Sequence, residues 1–271
     1  QQMKGTLYIV GTPIGNLSDI TLRALETLKT VDVIACEDTR RTLAMLNKYE
    51  IKKPLVSYYK QKEKEGAVKI AELLDEGKQV ALVTDAGMPC ISDPGSVLVD
   101  YLRNNDYPYT VVPGPTAVTS AAALVGTEKG FTFVGFLPEK NKQKKQALES
   151  VKSLPHTVFF YAAPHDVNDV LELLNETLGD REVFVVKEIT KIYETVTKGT
   201  LSSLRIENPK GEFVIGVQPE KITEEKTSDE DIIEELKSLI NSCKDKKTAI
   251  KETTEKFGIS KNTVYKLSLN I

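Results

Sequence analysis

The chain has 271 residues, of which 40% are hydrophobic and 28% are charged. These fractions are ordinary for a folded globular protein, and they exclude wholesale disorder. No stretch approaches the roughly 20 apolar residues that a membrane-spanning helix requires, so a membrane protein is excluded as well. The formal net charge is -3, which means that any nucleic-acid-binding surface must be a local patch.

Cysteine and histidine are too scarce for a disulfide framework or a histidine-rich metal centre. The three cysteines, Cys36, Cys90 and Cys243, are far apart and odd in number, which fits a reducing compartment. The two histidines are His156 and His165, and no metal site is predicted. The chain runs directly into a strand without the basic and apolar leader of secreted proteins. We therefore expect a cytoplasmic protein.

The first half of the chain alternates predicted strands with predicted helices, judged from short apolar runs and from leucines at near-helical spacing. The elements are strands at 6–11 and 32–38, helices at 19–31 and 39–49, and a helix followed by a strand in each of the segments 66–87 and 96–115. Alternation of this kind predicts a parallel sheet covered by helices. Thr21 or Asp19 is expected to cap the first helix, and Leu43 and Leu46 are expected to face inward in the second.

The second half has a different character. The helix expected within 111–126 consists of Ala, Thr, Ser and Val, which are small enough for another element to approach closely. Strands rich in aromatic and β-branched residues follow with hairpin-like spacing, and they predict a separate mixed α/β domain. The stretch 219–232 is polar and led by proline, which indicates a linker. From about Ile232 a helical tail is expected, and the predicted division is 1–116, 117–220 and 221–271.

Four predicted strands in the first half end in unusual loops. These are "GTPIGN" (11–16), "CEDTRR" (36–41), "TDAGMPCISDPG" (84–95) and "PGPTA" (113–117). Parallel strands place such loops on one rim, where ligands of α/β proteins bind. Glycine there permits close approach of backbone to a ligand, and proline fixes the bends. Ordinary turns are the alternative for any single loop, but four on one rim favour a binding site.

A dinucleotide site is a weaker interpretation of the same loops. Glu37 or Asp38 stands where an acid would bind a ribose hydroxyl. The loop "GTPIGN" nevertheless lacks the GxGxxG spacing, and no P-loop ending in GK[ST] is present.

Seven segments, in order over residues 5–217, resemble the tetrapyrrole methylase superfamily. They are "GTLYIVGTPIGNLSDITLRAL", "CEDTRRT", "TDAGMPCISDPG", "VPGPTA", "FTFVGFLPEK", "KEITKIYE" and "GEFVIGV". Within that superfamily they are similar to the family of small-subunit ribosomal RNA cytidine 2′-O-methyltransferases. Met88 and Cys90 depart from the family pattern, as does "YAAPHDV", where Ala162 and Asp166 replace an acid and an arginine.

The resemblance implies the fold, the cofactor and the substrate. The expected fold is two α/β domains with a cleft between them, plus a small helical tail, commonly as a homodimer. S-adenosylmethionine is expected in the cleft, held largely by backbone groups. The residues implied for the cofactor are Pro13, Gly87, Met88, Ile91, Thr116, Ala117 and Ala162. The implied reaction is methylation of a cytidine ribose in 16S ribosomal RNA, with the small ribosomal subunit as partner.

A ribose hydroxyl needs a base to accept its proton, and typical general-base help is roughly 10²- to 10⁴-fold. The catalytic candidates on the rim are Glu37, Asp38 and Asp93, with Asp85, Lys187 and Glu188 as further candidates. A capping role is the alternative for Asp38, since "EDT" precedes a helix. The base stays unassigned among these residues.

Basic residues near the expected cleft are candidates for contacts with RNA phosphates. They are Arg40, Lys140, Lys142, Lys144 and Lys145, and a solvated surface is the alternative for the lysines. The lysine-rich tail 244–267, which includes Lys244, has the pattern of a helix-turn-helix, with Gly258 at the turn and Ser260 capping the second helix. A corrinoid-precursor methyltransferase and a non-catalytic nucleic-acid-binding regulator are the alternative functions.

Overall fold

The protein is described from a computed structural model that covers residues 3–220, 228–242, 245–269 and 271. Cys243, Lys244 and residues 221–227 of the predicted linker lie outside the described residues. The chain divides into two compact units, residues 1–220 and 221–271. Among the described residues, no helix combines the length and the apolar character needed to cross a membrane.

The first sheet is parallel and has five strands in the order β3-β2-β4-β1-β5. The strands are β1 (Leu7–Val10), β2 (Val33–Cys36), β3 (Leu55–Ser57), β4 (Val80–Leu82) and β5 (Tyr109–Val112). The helices between them are α1 (Leu22–Thr30), α2 (Thr39–Lys48), α3 (Glu63–Asp75) and α4 (Ser96–Asn104). Apolar side chains of α1 and α2 pack on one face of the sheet, and those of α3 and α4 pack on the other. The predicted parallel sheet is confirmed.

Three details of this half refine or correct the predictions. Thr21 caps α1, because its side chain accepts a hydrogen bond from the Ala24 amide. Leu46 is buried as expected, but Leu43 is 48% exposed, so its predicted inward orientation is wrong. Strand β3 was not predicted, because three residues between Pro54 and two tyrosines are too few to show a pattern.

The second sheet is mixed, with the order β6-β7-β10-β8-β9. Its strands are β6 (Phe131–Phe136), β7 (Thr157–Ala162), β8 (Glu182–Lys187), β9 (Thr195–Thr200) and β10 (Phe213–Val217). Its helices are α5 (Ala117–Val125), α6 (Asn141–Val151) and α7 (Val167–Leu178). Only β6 and β7 run parallel, and β8 and β9 form an antiparallel pair. Strand β9 was missed because "TVTKGT" is exposed and polar, without an apolar run.

Helix α5 packs against the second sheet through small side chains. Val118, Ala121 and Ala122 are buried against Phe159 and Val214. The close approach predicted from its composition is therefore present. The two sheets lie within one compact unit, and the domain boundary after Thr116, the N-cap residue of α5, stays a prediction. The predicted fold class, two α/β sheets with small C-terminal helices, is confirmed.

The described residues of the second unit form three helices, α8 (Asp229–Asn241), α9 (Lys246–Phe257) and α10 (Lys261–Ser268). Ile232 and Leu236 of α8 share a buried core with Ile250 of α9 and Val264 of α10. A capping box between Ser228 and Asp231 begins α8, so residues 229–232 are helix and not the predicted linker. The predicted turn at Gly258 and the cap at Ser260 are both present.

Candidate active site

A cleft of about 790 Å³ lies within the first unit, where the loops after the strands of the first sheet face the second sheet. This volume is in the range of small-molecule sites. The structure brings all seven predicted cofactor residues to this cleft, namely Pro13, Gly87, Met88, Ile91, Thr116, Ala117 and Ala162. Their role in binding stays a prediction.

The loop after β4 is held against the loop after β1 by a two-way backbone contact. The Thr12 amide donates to the Gly87 carbonyl at 2.9 Å, and the Gly87 amide donates to the Thr12 carbonyl at 3.1 Å. Gly87 has φ +84°, which is the left-handed region that side chains rarely occupy. A Cβ atom there would also lie 3.2 Å from Ile14 Cγ2. The backbone conformation therefore requires glycine at this position. This reason adds to the close approach of a ligand that the sequence suggested.

The ends of β1 and β5 touch backbone to backbone. A Cβ atom on Gly11 would lie 2.6 Å from the Gly114 Cα atom and equally close to the Met88 sulfur. A side chain on Gly11 or Gly114 would not fit in this contact, so two of the four loops need glycine there. The missing side chain at Gly11 also leaves room for the side chain of Met88. The contact depends on strand order, so the sequence alone did not predict it.

Three of the carboxylates that line the cleft follow strands of the first sheet: Glu37, Asp85 and Asp93. Asp85 Oδ2 accepts a hydrogen bond from Arg41 Nη1 at 3.0 Å. Its other oxygen, Oδ1, is buried and has no hydrogen-bond partner among the described residues. A buried acceptor without a partner is costly, and it marks a position where a bound donor or cation would be favourable.

Two carboxylates in the cleft, Asp93 and Glu37, have raised pKa values. Burial raises the pKa of Asp93, and the charge of Asp85 adds to the effect, while the Thr84 hydroxyl opposes it. Burial also raises the pKa of Glu37, with contributions from the charges of Asp85 and Asp93, while Arg41 acts in the opposite direction. The ionised cluster is therefore under electrostatic repulsion, which a bound cation would relieve.

Asp38 has a different position from the other two catalytic candidates. Its Oδ1 atom accepts hydrogen bonds from the amides of Arg40 at 2.8 Å and Arg41 at 3.3 Å, so it caps α2. These hydrogen bonds hold the pKa of its carboxyl below the usual range. Neither Asp38 nor Arg40, whose side chain is 92% exposed and pairs with it, lines the cleft. The contacts of Asp38 are those of the capping alternative.

Lys187 and Glu188, the catalytic candidates from the second sheet, do not line the cleft either. Glu188 accepts hydrogen bonds from Lys191 Nζ and from the Glu212 amide, both at 2.9 Å. Lys191 itself does line the cleft, as does Glu212, which binds the same ammonium group at 2.9 Å. Lys187 does not line the cleft. Lys191 and Glu212 were not predicted, because their pairing is a product of the tertiary fold.

The charged lining of the cleft is acidic overall. Four carboxylates, Glu37, Asp85, Asp93 and Glu212, face two cations, Arg41 and Lys191. Both cations are already paired with carboxylates of the protein. An excess of negative charge favours a ligand that carries positive charge.

The second sheet contributes aromatic residues to the cleft that the sequence did not indicate. Tyr161 and Phe136 line it, and their rings pack edge to face with centroids 5.4 Å apart. The Tyr161 hydroxyl accepts a hydrogen bond from the Val118 amide at 3.1 Å. This bond joins β7 to the first turn of α5 beside Thr116 and Ala117.

The four predicted RNA-contacting lysines are placed together on α6 and at its start, and none lines the cleft. Lys140 is the N-cap residue of α6, and Lys142 and Lys145 are exposed, while Lys144 is half-buried. Among the described residues, none of the four forms an ion pair. They form a cationic helix surface outside the cleft.

The sequence was compared with models of known protein families. The family model of the Tetrapyrrole (Corrin/Porphyrin) Methylases matches residues 6–205, which include both sheets up to β9 and most of the cleft. This chain belongs to the tetrapyrrole methylase family. The resemblance inferred from the sequence motifs is confirmed.

Three relatives are similar over 78% to 98% of this chain. A protein of Bacillus subtilis named ribosomal RNA small subunit methyltransferase I is 41% identical, covering 96% of this chain and 93% of its own length. A Thermotoga maritima protein of the same name is 45% identical over 78% of this chain and 97% of its own length. One from Haemophilus influenzae is 39% identical, covering 98% and 97%.

Solved structures share the fold of this chain at low identity. A diphthine synthase has a TM-score of 0.63 at 16% identity, covering 79% of this chain and 89% of that one. Uroporphyrin-III-C-methyltransferase from Thermus thermophilus has a TM-score of 0.56 at 22% identity, covering 79% and 94%. At such identities the likeness concerns the fold alone.

Proposed function

We propose that this tetrapyrrole methylase family member transfers a methyl group from S-adenosylmethionine to the ribose 2′-hydroxyl of a cytidine in 16S ribosomal RNA. The observation that carries the proposal is the similarity, over nearly the full chain, to relatives named ribosomal RNA small subunit methyltransferase I. The cytidine and the 2′-hydroxyl come from the motif resemblance.

The cleft fits the proposed cofactor. S-adenosylmethionine carries a sulfonium and an ammonium cation, and it would supply an electrophilic methyl group when bound. The excess of carboxylates in the lining complements these charges. The unpartnered Oδ1 atom of Asp85 is a ready acceptor for a donor of the ligand. Gly87, Met88 and Ile91 would hold it from the first sheet, and Ala117 and Ala162 from the second.

The protein's part in the proposed chemistry is alignment and proton removal. Fixing the hydroxyl oxygen in line with the methyl group supplies on the order of 7 to 11 kcal/mol. We assign proton removal to Asp93, which lines the cleft and is more buried than Glu37. Asp85 is already engaged by Arg41. The raised pKa of Asp93 makes it a stronger base than an ordinary carboxylate.

The direct test is transfer of radiolabelled methyl groups. Purified protein and labelled S-adenosylmethionine are incubated with assembled small ribosomal subunits, with naked 16S ribosomal RNA, or with a mixture of tetrapyrroles. Label in a cytidine that becomes resistant to alkaline cleavage supports the proposal. Label in the tetrapyrroles supports the corrinoid-precursor alternative, and RNA binding without any labelling supports the non-catalytic regulator.

Cofactor affinity is expected to depend on pH. Because Asp93 and Glu37 have raised pKa values, they should become protonated at a higher pH than ordinary carboxyl groups do. Their protonation should weaken binding of the cationic cofactor. Binding in that pH window should release protons. Calorimetric titration in two buffers of different ionisation enthalpy measures the release, and Glu37→Gln should reduce it. An affinity that stays constant down to the ordinary carboxyl range would contradict this prediction.

The tail and α6 are proposed to contact RNA phosphates. The exposed stripe of α10 combines Lys261, Asn262, Tyr265 and Lys266, which suits nucleic-acid contacts. Deletion of 221–271 should weaken binding to small subunits but spare cofactor affinity. Because α8 belongs to the core of the tail, a deletion starting at 233 would cut through that core.

Replacing Lys142, Lys144 and Lys145 by Gln tests the contribution of α6 separately. The slope of log affinity against log salt should flatten by roughly 0.7 to 0.9 for each RNA phosphate that the variant no longer neutralises. Filter binding across a salt series measures the slope. Equal slopes for the wild type, the triple variant and the deletion would show that these lysines are only solvated surface. The homodimer expected from the resemblance stays a prediction.

A further inference from the structure

Two large apolar side chains stand almost fully in solvent in the loop between β8 and β9. Ile192 is 94% exposed and Tyr193 is 77% exposed. Single exposed apolar residues are common, but an adjacent pair of this size at a functional cleft is a candidate contact surface. We refer to Ile192 and Tyr193 as the apolar tip.

The loop that carries the apolar tip is tightly held. The Thr190 amide donates to Glu194 Oε2 at 2.5 Å, and the Glu194 amide donates to the Lys191 carbonyl at 3.2 Å. Glu188 and Thr190 both have positive φ, at 53° and 66°. Residues other than glycine persist in that region only where the surroundings enforce it. The tip is thus presented by a fixed backbone.

Contacts of the same loop place the tip beside the mouth of the cleft. Lys191, the neighbour of Ile192, lines the cleft, and its carbon stem lies over Gly15. Asn16 Nδ2 donates to the Thr190 carbonyl at 3.4 Å, and the Thr190 hydroxyl donates to Asp19. The loop therefore bridges from the second sheet to the residues that follow β1, and Ile192 and Tyr193 project next to this bridge.

We propose that Tyr193, supported by Ile192, is a stacking platform for a nucleobase of the RNA strand that enters the cleft, an inference that rests on the proposed function. Every base has a face that stacks on an aromatic ring, and single-stranded RNA is commonly bound in this way. A tyrosine on a fixed loop loses little conformational entropy on stacking. The stacked base would hold the strand while the neighbouring ribose reaches the carboxylates within the cleft.

The size of the apolar tip favours a nucleobase over a protein partner. Stable protein interfaces bury about 800 Å² on each side and involve roughly 20 to 30 residues. Two side chains at the end of a loop are far too small for that, but one ring matches one base.

The test compares Tyr193→Ala, Tyr193→Phe and Tyr109→Ala. Tyr109 is a matched control because it is partly exposed and lies in the same unit, at the amino end of β5 and away from the cleft. Methylation of small ribosomal subunits is measured for each variant, and cofactor affinity is measured by calorimetry. We expect Tyr193→Ala to raise KM by roughly 5- to 150-fold with cofactor affinity unchanged. Tyr193→Phe and Tyr109→Ala should stay within about twofold of the wild type by the same stacking argument.

A second measurement separates this inference from the proposed function. A short single-stranded RNA containing 2-aminopurine should lose fluorescence on binding the wild type and the Phe variant, but not the Ala variant. Quenching without any methyl transfer would retain the platform and contradict the proposed function. A Tyr193→Ala variant with unchanged KM and unchanged quenching would overturn the platform. A Phe variant as defective as the Ala variant would also overturn it, since a hydroxyl contact would then be responsible.

Discussion

Replacing Asp93 by Asn is expected to lower the rate of methyl transfer by roughly 10²- to 10⁴-fold, the usual contribution of a general base. Asparagine preserves the size of the side chain and its ability to accept a hydrogen bond, but it cannot take a proton from the ribose hydroxyl. Single-turnover kinetics on small ribosomal subunits, with cofactor at saturation, measures the chemical step.

Asp38→Asn is the matched control for this change. Asp38 stands one strand away, caps α2 and pairs with the exposed Arg40 side chain, and asparagine is an equally good N-cap residue. The control should therefore retain nearly full activity. Equal losses in the two variants, or full activity in Asp93→Asn, would remove Asp93 from the role of base.

The Asp93→Asn substitution should also stabilise the fold. Because the pKa of Asp93 is raised in the folded protein, folding favours its protonated form, and stability declines as the pH rises from the unfolded pKa to the folded one. At neutral pH the ionised carboxylate is therefore destabilising, and the neutral amide should raise the melting temperature. Differential scanning calorimetry at neutral and acidic pH tests this, since the gain should vanish once the carboxyl group is protonated.

Gly87→Val is expected to weaken S-adenosylmethionine binding on the order of 100-fold. A β-branched residue at φ +84° costs about 1 to 3 kcal/mol, and the Cβ atom would meet Ile14. The loop can relieve this strain by breaking its two-way contact with Thr12. Binding must then restore the strained conformation, so the cost appears as weaker affinity. Calorimetric titration measures it.

Gly130→Val is a control that introduces similar backbone strain at a position that does not line the cleft. Gly130 has φ +78°, and a Cβ atom there would meet nothing within 4 Å. This control should lower the melting temperature by a similar amount but leave cofactor affinity unchanged. If Gly87→Val is folded and binds the cofactor as well as the wild type, the placement of the cofactor against this loop is wrong.

The sequence predicted the parts of this protein that depend on local chemistry. Glycine and proline after buried strands marked the four loops, and the position of Ser260 marked the cap of α10. The failures concern elements whose pattern is weak or whose contacts are distant. Strand β9 is polar and exposed, so it lacks the apolar run that marks a strand.

The candidate site was predictable to a similar degree. The seven residues predicted to bind the cofactor lie in or beside the recognised motifs, and the structure gathers them at one cleft. The pairing of Arg41 with Asp85 joins positions 44 residues apart in the chain, and it depends on β2 and β4 being neighbours. Lys191 and Glu212 meet for the same kind of reason. Such pairs follow from strand order, which spacing alone does not specify.

The acidic lining of the cleft also bears on turnover. In the proposed reaction the departing methyl group takes the positive charge from sulfur, and a neutral thioether remains in its place. Once Asp93 has released the proton that it took from the hydroxyl, the carboxylates of the cleft lack the sulfonium charge and repel one another again. We therefore expect the spent cofactor to be held less tightly than the fresh one, so that the carboxylates proposed to recruit the methyl donor would also limit inhibition by its by-product.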